Sequence, residues 1–143
     1  MPDILHDFPI NAPPARVFEI LCSPAGLDAW WTAHAEGTPG VGNRYRLFFA
    51  PKYEWAAVMR RYEPVTAVEW EITTSDDDWR GTRVGFRLRP EGNGSGVEFY
   101  HAGWPSPNAH FRTSTFCWAM YLRLLKRYIE TGEVVEYERR LEV

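Results

Sequence analysis

The sequence predicts an α+β domain in which a curved antiparallel sheet wraps one long C-terminal helix. Three observations lead there. Apolar residues recur with period two through most of the chain between Gly37 and His101, and from about Ala109 to Thr131 they recur at helical spacing. Ahead of both, proline-opened helical turns separate a first strand from the rest of the sheet.

Ile4, His6, Phe8 and Ile10 occupy every second position of the first strand, and Asn11 ends it. Asn11, Pro13 and Pro14 then precede an apolar-periodic stretch. Proline in a first turn sacrifices no hydrogen bond, so a helix is expected from about Pro13 to Leu21, with Val17, Phe18 and Leu21 inward. Ser23 and Pro24 repeat this start for a second short helix ending near Trp30 and Trp31. A series of strands follows. In Arg44 to Phe49, Tyr45, Leu47 and Phe49 share the inner face; in Glu54 to Tyr62, Trp55, Ala57 and Met59 do. Val68, Trp70 and Ile72 alternate with Glu69 and Glu71 in the segment Ala67 to Thr74. Val84, Phe86 and Leu88 alternate with Arg83 and Arg87 in Thr82 to Leu88. Val97, Phe99 and His101 share a face in Gly96 to His101. Last, Phe111, Trp118, Leu122, Leu125 and Ile129 form one stripe of a helix that Gly132 terminates. About 22 residues of helix are roughly 33 Å long, enough to cross a small sheet.

A chain of 143 residues fits a single domain. Its 45% apolar and 24% charged content is that of a globular protein. Aromatics stand out at 15%, with seven Trp, seven Tyr and eight Phe. Broad flat side chains line walls as well as fill cores, so the excess suggests an aromatic-lined cavity. A net charge of −3 provides no field for a nucleic-acid backbone or an anionic membrane. Arg123, Lys126 and Arg127 read as a solvated helix face. Cys22 and Cys117 lack metal-ligand spacing and suggest buried thiols in a reducing compartment, with a disulfide left open. The N-terminus has no basic region followed by an apolar run, and no apolar window approaches 18 residues, so a cytoplasmic protein without membrane insertion is expected.

The order strand, two short helices, five strands, long helix resembles the START-like (SRPBCC, helix-grip) superfamily. Three motifs narrow it. The run FPINAPPARVFEILCSPAGLDAWW, with Ile10 through Phe18 and then Trp30 and Trp31, is similar to the opening of the family resembling the C-terminal domain of the activator of the heat-shock-protein-90 ATPase. VEFYHAGW, with His101 and Gly103, resembles that family's last strand, and CWAMYLRLLKRYIETGE resembles its final helix through Trp118, Leu122, Leu125, Ile129, Glu130 and Gly132. Departures are Cys117, where glycine is common, and the polar, proline-rich WPSPNAHFRTSTF. The resemblance implies a helix-grip fold, β-α-α-β-β-β-β-β-α, in one domain spanning residues 1–143, and a family link to stress response.

Strand parity directs Trp55, Met59, Trp70, Phe86, Phe99 and His101 toward one apolar site, helical phase adds Trp118, and the excess of indoles adds Trp31 and Trp104. His101 is the inward polar group. It is either a structural histidine, bonded to a carbonyl or to a hydroxyl such as Tyr53, Ser114 or Thr115, or a group that orients a ligand. Acid–base chemistry would need a second inward group, and Glu69, Glu71 and Glu98 have the wrong parity. His6, His34 and His110 default to surface or loop. The chain has no phosphate loop, nucleophile elbow or metal-spaced cluster, so no metal, cofactor or catalytic set is expected. Phe116 and Met120 lie off the helix stripe and mark an apolar spot through which a homodimer would form. The functional expectation is a protein that binds a small hydrophobic molecule, aromatic or lipid-like. A cyclase or aromatase-like enzyme and a co-chaperone-like interaction protein are the alternatives.

Overall fold

A computed structural model describes residues 1–143. Its first strand, β1 (Ile4–Ile10), pairs antiparallel with the last, β7 (Gly94–Ala102), from Ile4 opposite His101 to Ile10 opposite Ser95. Between them run α1 (Pro14–Cys22), α2 (Pro24–Trp30), β2 (His34–Glu36), β3 (Arg44–Phe49), β4 (Tyr53–Glu63), β5 (Ala67–Thr74) and β6 (Arg83–Glu91). All seven strands form one antiparallel sheet in the order β1-β7-β6-β5-β4-β3-β2. Because β1 and β2 are opposite edges, the α1–α2 pair carries the chain across the sheet. The long helix α3 (Ala109–Thr131) packs against β1, α1 and α2.

Helix boundaries follow local chemistry. Proline occupies the first turn of α1 and of α2, and the Ser23 hydroxyl accepts from Gly26 N at 2.9 Å, the N-cap that the Ser-Pro pair predicts. Gly26 lies so close to α1 that a Cβ there would stand 2.0 Å from the Ile20 carbonyl oxygen. No side chain caps α1. Instead Asn11 N–H donates to Glu130 on α3 at 2.7 Å, tying the end of β1 to the long helix. Asn108 caps α3 by accepting from Phe111 N at 2.8 Å, and Gly132 ends it in the left-handed region at φ 80°.

Two elements depart from the sequence reading. β2 raises the strands after the helix pair from five to six, and at three residues it is too short for a period to register. Beyond α3, residues Tyr137–Glu142 form a 3₁₀ helix that returns over α3 and α2. Its Arg140 is 3% exposed and donates to the carbonyls of Val135, Thr32 and Asp28, a cation placed at the C-terminal end of α2. The β4–β5 register also shifts twice, between Ala56 and Ala57 and between Met59 and Arg61, and the first shift breaks parity. Ala56 and Ala57 are both buried because the β4–β5 register shifts between them, a bulge that puts neighbouring residues on one side.

Candidate functional site

The predicted helix stripe is buried at Trp118, Leu122 and Leu125 and lies against the sheet's aromatic face. Trp118 is the hub of that interior. Its ring centroid is 4.6 Å from Phe99 on β7, and 5.3 Å and 6.4 Å from Trp31 and Trp30 at the end of α2. Trp79 stacks on it at 5.7 Å with a 22° interplanar angle. Phe86 meets Phe99 and Trp30 edge-on. Trp104, just after β7, and Trp55 on β4 both approach Trp79, at 6.2 and 5.2 Å. Edge and tilted contacts dominate, as the ring quadrupole favours.

His101 is buried at the centre of this cluster, 4.5 Å from Trp79 and 5.0 Å from Trp104. Its partners are neither Tyr53, Ser114 nor Thr115. Trp118 Nε1–H donates to His101 Nδ1 at 3.1 Å, which assigns the ring proton to Nε2 because an indole only donates. Nε2–H then donates to Thr82 Oγ1 at 2.8 Å, and the Thr82 hydroxyl donates to the Trp79 carbonyl. Both ring nitrogens are engaged. Burial, reinforced by the charge of nearby His110, pushes the imidazole down to about 3, so it is neutral at physiological pH.

Of the nine predicted residues, Phe86, Phe99, His101, Trp104 and Trp118 form one aromatic cluster, with Trp31 against Trp118. Trp55 is half-buried at its border and joins it through Trp79. Trp70 faces a different neighbour, Tyr45 at 5.7 Å, and lines a wholly apolar void with Trp31, Leu27, Leu47, Ala57, Ile72 and Val84. That void measures about 10 Å³, barely room for one water. Met59 is buried opposite Trp70 in the register, and its sulfur accepts from Gly40 N at 3.1 Å. The interior is therefore filled.

Sequence reasoning missed Trp79. It lies in the loop between β5 and β6, in a stretch, SDDDWRG, whose composition reads as a turn. The one available signal is a lone tryptophan among acidic residues. His6 and His110 also exceed the surface default: His6 stacks on Phe99 and bonds the Thr115 carbonyl, and His110 bonds Asp78 at 2.9 Å.

Four buried indole N–H groups, those of Trp30, Trp70, Trp79 and Trp104, find no acceptor in the protein. Each such donor costs about 1–3 kcal/mol, and natural interiors tolerate few. Elsewhere, Cys22 and Cys117 are free thiols, with burial raising the Cys22 thiol to about 12. Phe116 is 77% exposed on α3, whereas Met120 is half-buried. No helix is long and apolar enough to cross a membrane.

Comparison with solved structures places this architecture among known ones. The Aha1 dimer from Colwellia psychrerythraea is 27% identical, with a TM-score of 0.84 over 93% of this chain and 99% of that one. A Mesorhizobium loti protein has a TM-score of 0.80 at 17% identity, over 93% and 100%. CalU16 from Micromonospora echinospora has 0.72 at 20% identity, over 98% and 83%. The last two are likenesses of fold alone. None of the curated proteins compared with the chain matches it. A family model described as Activator of Hsp90 ATPase homolog 1-like protein matches residues 11–130, from the turn after β1 to the last turn of α3. With the matched span covering both N-terminal helices, the sheet from β2 onward and the Trp118 helix, the chain belongs to the Activator of Hsp90 ATPase homolog 1-like family.

Proposed function

We propose that this protein binds a flat, mainly apolar small molecule carrying a hydrogen-bond acceptor, held between the sheet and α3. The observation that carries the reading is the set of four buried indole donors without partners in an interior otherwise made of aromatic faces. A ligand with a carbonyl or ether oxygen would receive such a donor while its rings stack on the indoles, the usual composition of small-molecule sites. Since the interior is full, the ligand gains its space by displacing a side chain. His101 orients the site without serving as a base, because both nitrogens are bonded and burial disfavours its proton. This removes the inward base that a cyclase reading requires. Native mass spectrometry of freshly purified protein tests the proposal: a retained small molecule supports it. A bare chain that also stays bare after incubation with aromatic ketones argues against it.

A second reading concerns assembly. The similar Colwellia protein is a dimer, and Phe116 is an exposed phenyl ring on α3. We infer a homodimer through the Phe116 face, which Phe116→Asp would convert to a monomer in analytical ultracentrifugation.

A further inference from the structure

Trp79 belongs to neither sheet nor helix, yet it fills the centre of the interior. It is the only buried residue from Ser75 to Gly81. The loop around it keeps its own shape: Trp79 N donates to Asp76 Oδ1 at 2.9 Å, Arg80 N to the Asp76 carbonyl at 3.1 Å, and Thr82 N to the Trp79 carbonyl at 3.0 Å. At its base Gly81 has φ +86° and open space around it, a conformation and a vacancy suited to a hinge. On the outside, Asp78 is held by the first turn of α3. His110 Nδ1 lies 2.9 Å away, and Asn108 Nδ2 donates at 3.4 Å. Asp78 and His110 are each about a third exposed, at 31% and 40%, so water competes for this latch.

We propose that Trp79 is a removable plug: the β5–β6 loop withdraws its indole from the slot beside the hydrogen-bonded Trp118–His101 pair, and the vacated slot takes a flat two-ring molecule with an acceptor oxygen. The inference rests on the binding reading above and names its entry route and its ligand shape. The slot has the dimensions of the indole that fills it, bounded by the Trp118 face at 5.7 Å and the His101 ring at 4.5 Å. The exchange also has a polar logic. With the plug in, the N–H groups of Trp79 and of its neighbour Trp104 are both buried without acceptors. With the plug out, Trp79 N–H reaches water and Trp104 N–H is free to meet the ligand oxygen. Apolar burial of the Trp79 ring keeps the slot closed in the absence of ligand.

Isothermal titration calorimetry of the full chain with chromone, a flat bicycle with a carbonyl, and with naphthalene, which has none, tests this. A latch that is weakened raises the open fraction and with it the apparent affinity. Asp78→Ala should therefore tighten chromone binding about two- to fivefold. Asp77→Ala, which removes the same charge from a side chain 93% exposed and paired only with Arg80, should leave it unchanged. Trp79→Ala should bind both probes more tightly than wild type, with chromone preferred. If Asp78→Ala matches wild type while Trp79→Ala binds chromone, the plug is overturned and the binding reading stands. If neither wild type nor a folded Trp79→Ala binds chromone, the binding reading itself fails. Should Trp79→Ala not fold, the Asp78 and Asp77 variants decide the matter, since Asp78→Ala removes the latch to α3 and Asp77→Ala changes only the loop surface.

Discussion

Lowering the pH from 7.5 to 5.0 should destabilise this protein mainly through one residue. His101 is fully buried, and burial holds its imidazole at about 3, against 6.5 for a free side chain. The folded form therefore stays neutral across this range while the unfolded chain takes up a proton below 6.5. Stability rises with pH wherever the unfolded state binds more protons, so the contribution is fully present above 6.5 and is lost progressively as pH falls toward 3. At 1.36 kcal/mol per pH unit, the loss between pH 7.5 and 5.0 is about 2 kcal/mol. Glu130, whose carboxyl is lowered by its bond to Lys126, loses its contribution only below the carboxylate range and stays clear of this window. Urea unfolding at the two pH values reads the difference directly. His101→Gln offers an acceptor to Trp118 and a donor to Thr82 without titrating, and should flatten the dependence. If His101→Gln loses stability with acid as steeply as wild type, the neutral buried imidazole is not the source and the assigned relay is wrong.

Other substitutions probe the frame around the site. Leu125→Ala, at a fully buried position of α3, should cost about 2–5 kcal/mol in denaturant unfolding, whereas exposed Arg123→Ala should stay within about 0.5 kcal/mol. Arg140→Ala strips three carbonyls of their donor and should cost about 2–3 kcal/mol. Arg139→Ala, its exposed neighbour, should be near neutral by the same assay.

The parts of this fold that span many residues were legible because period carries the signal. From Val68 to Ile72 β5 alternates buried and half-buried residues, and the α3 stripe with Gly132 after it marks the helix and its end. Short or irregular pieces left no such trace. β2 has three residues, and the bulge at Ala56 and Ala57 breaks the alternation on which inward and outward assignments depend. Parity found His101 and its aromatic neighbours but not its partners. Thr82 lies at the edge of a strand and Trp118 on a helix, and only the packing of α3 on β7 brings them to one imidazole. Trp79 escaped for a related reason: a loop residue has no period, and its burial is decided by where the loop folds back.

The binding function rests on the four indole donors that lack acceptors, and the indole N–H resonances of a ¹⁵N-labelled sample report on them one by one. Seven tryptophans give seven such signals. Titration with chromone should move the resonance of Trp104 downfield as its N–H gains an acceptor, with one-to-one saturation. The resonance of Trp118, already bonded to His101, should move little. If all seven stay in place up to the solubility limit of chromone, in wild type and in Asp78→Ala alike, the interior is a closed core and the binding function is contradicted.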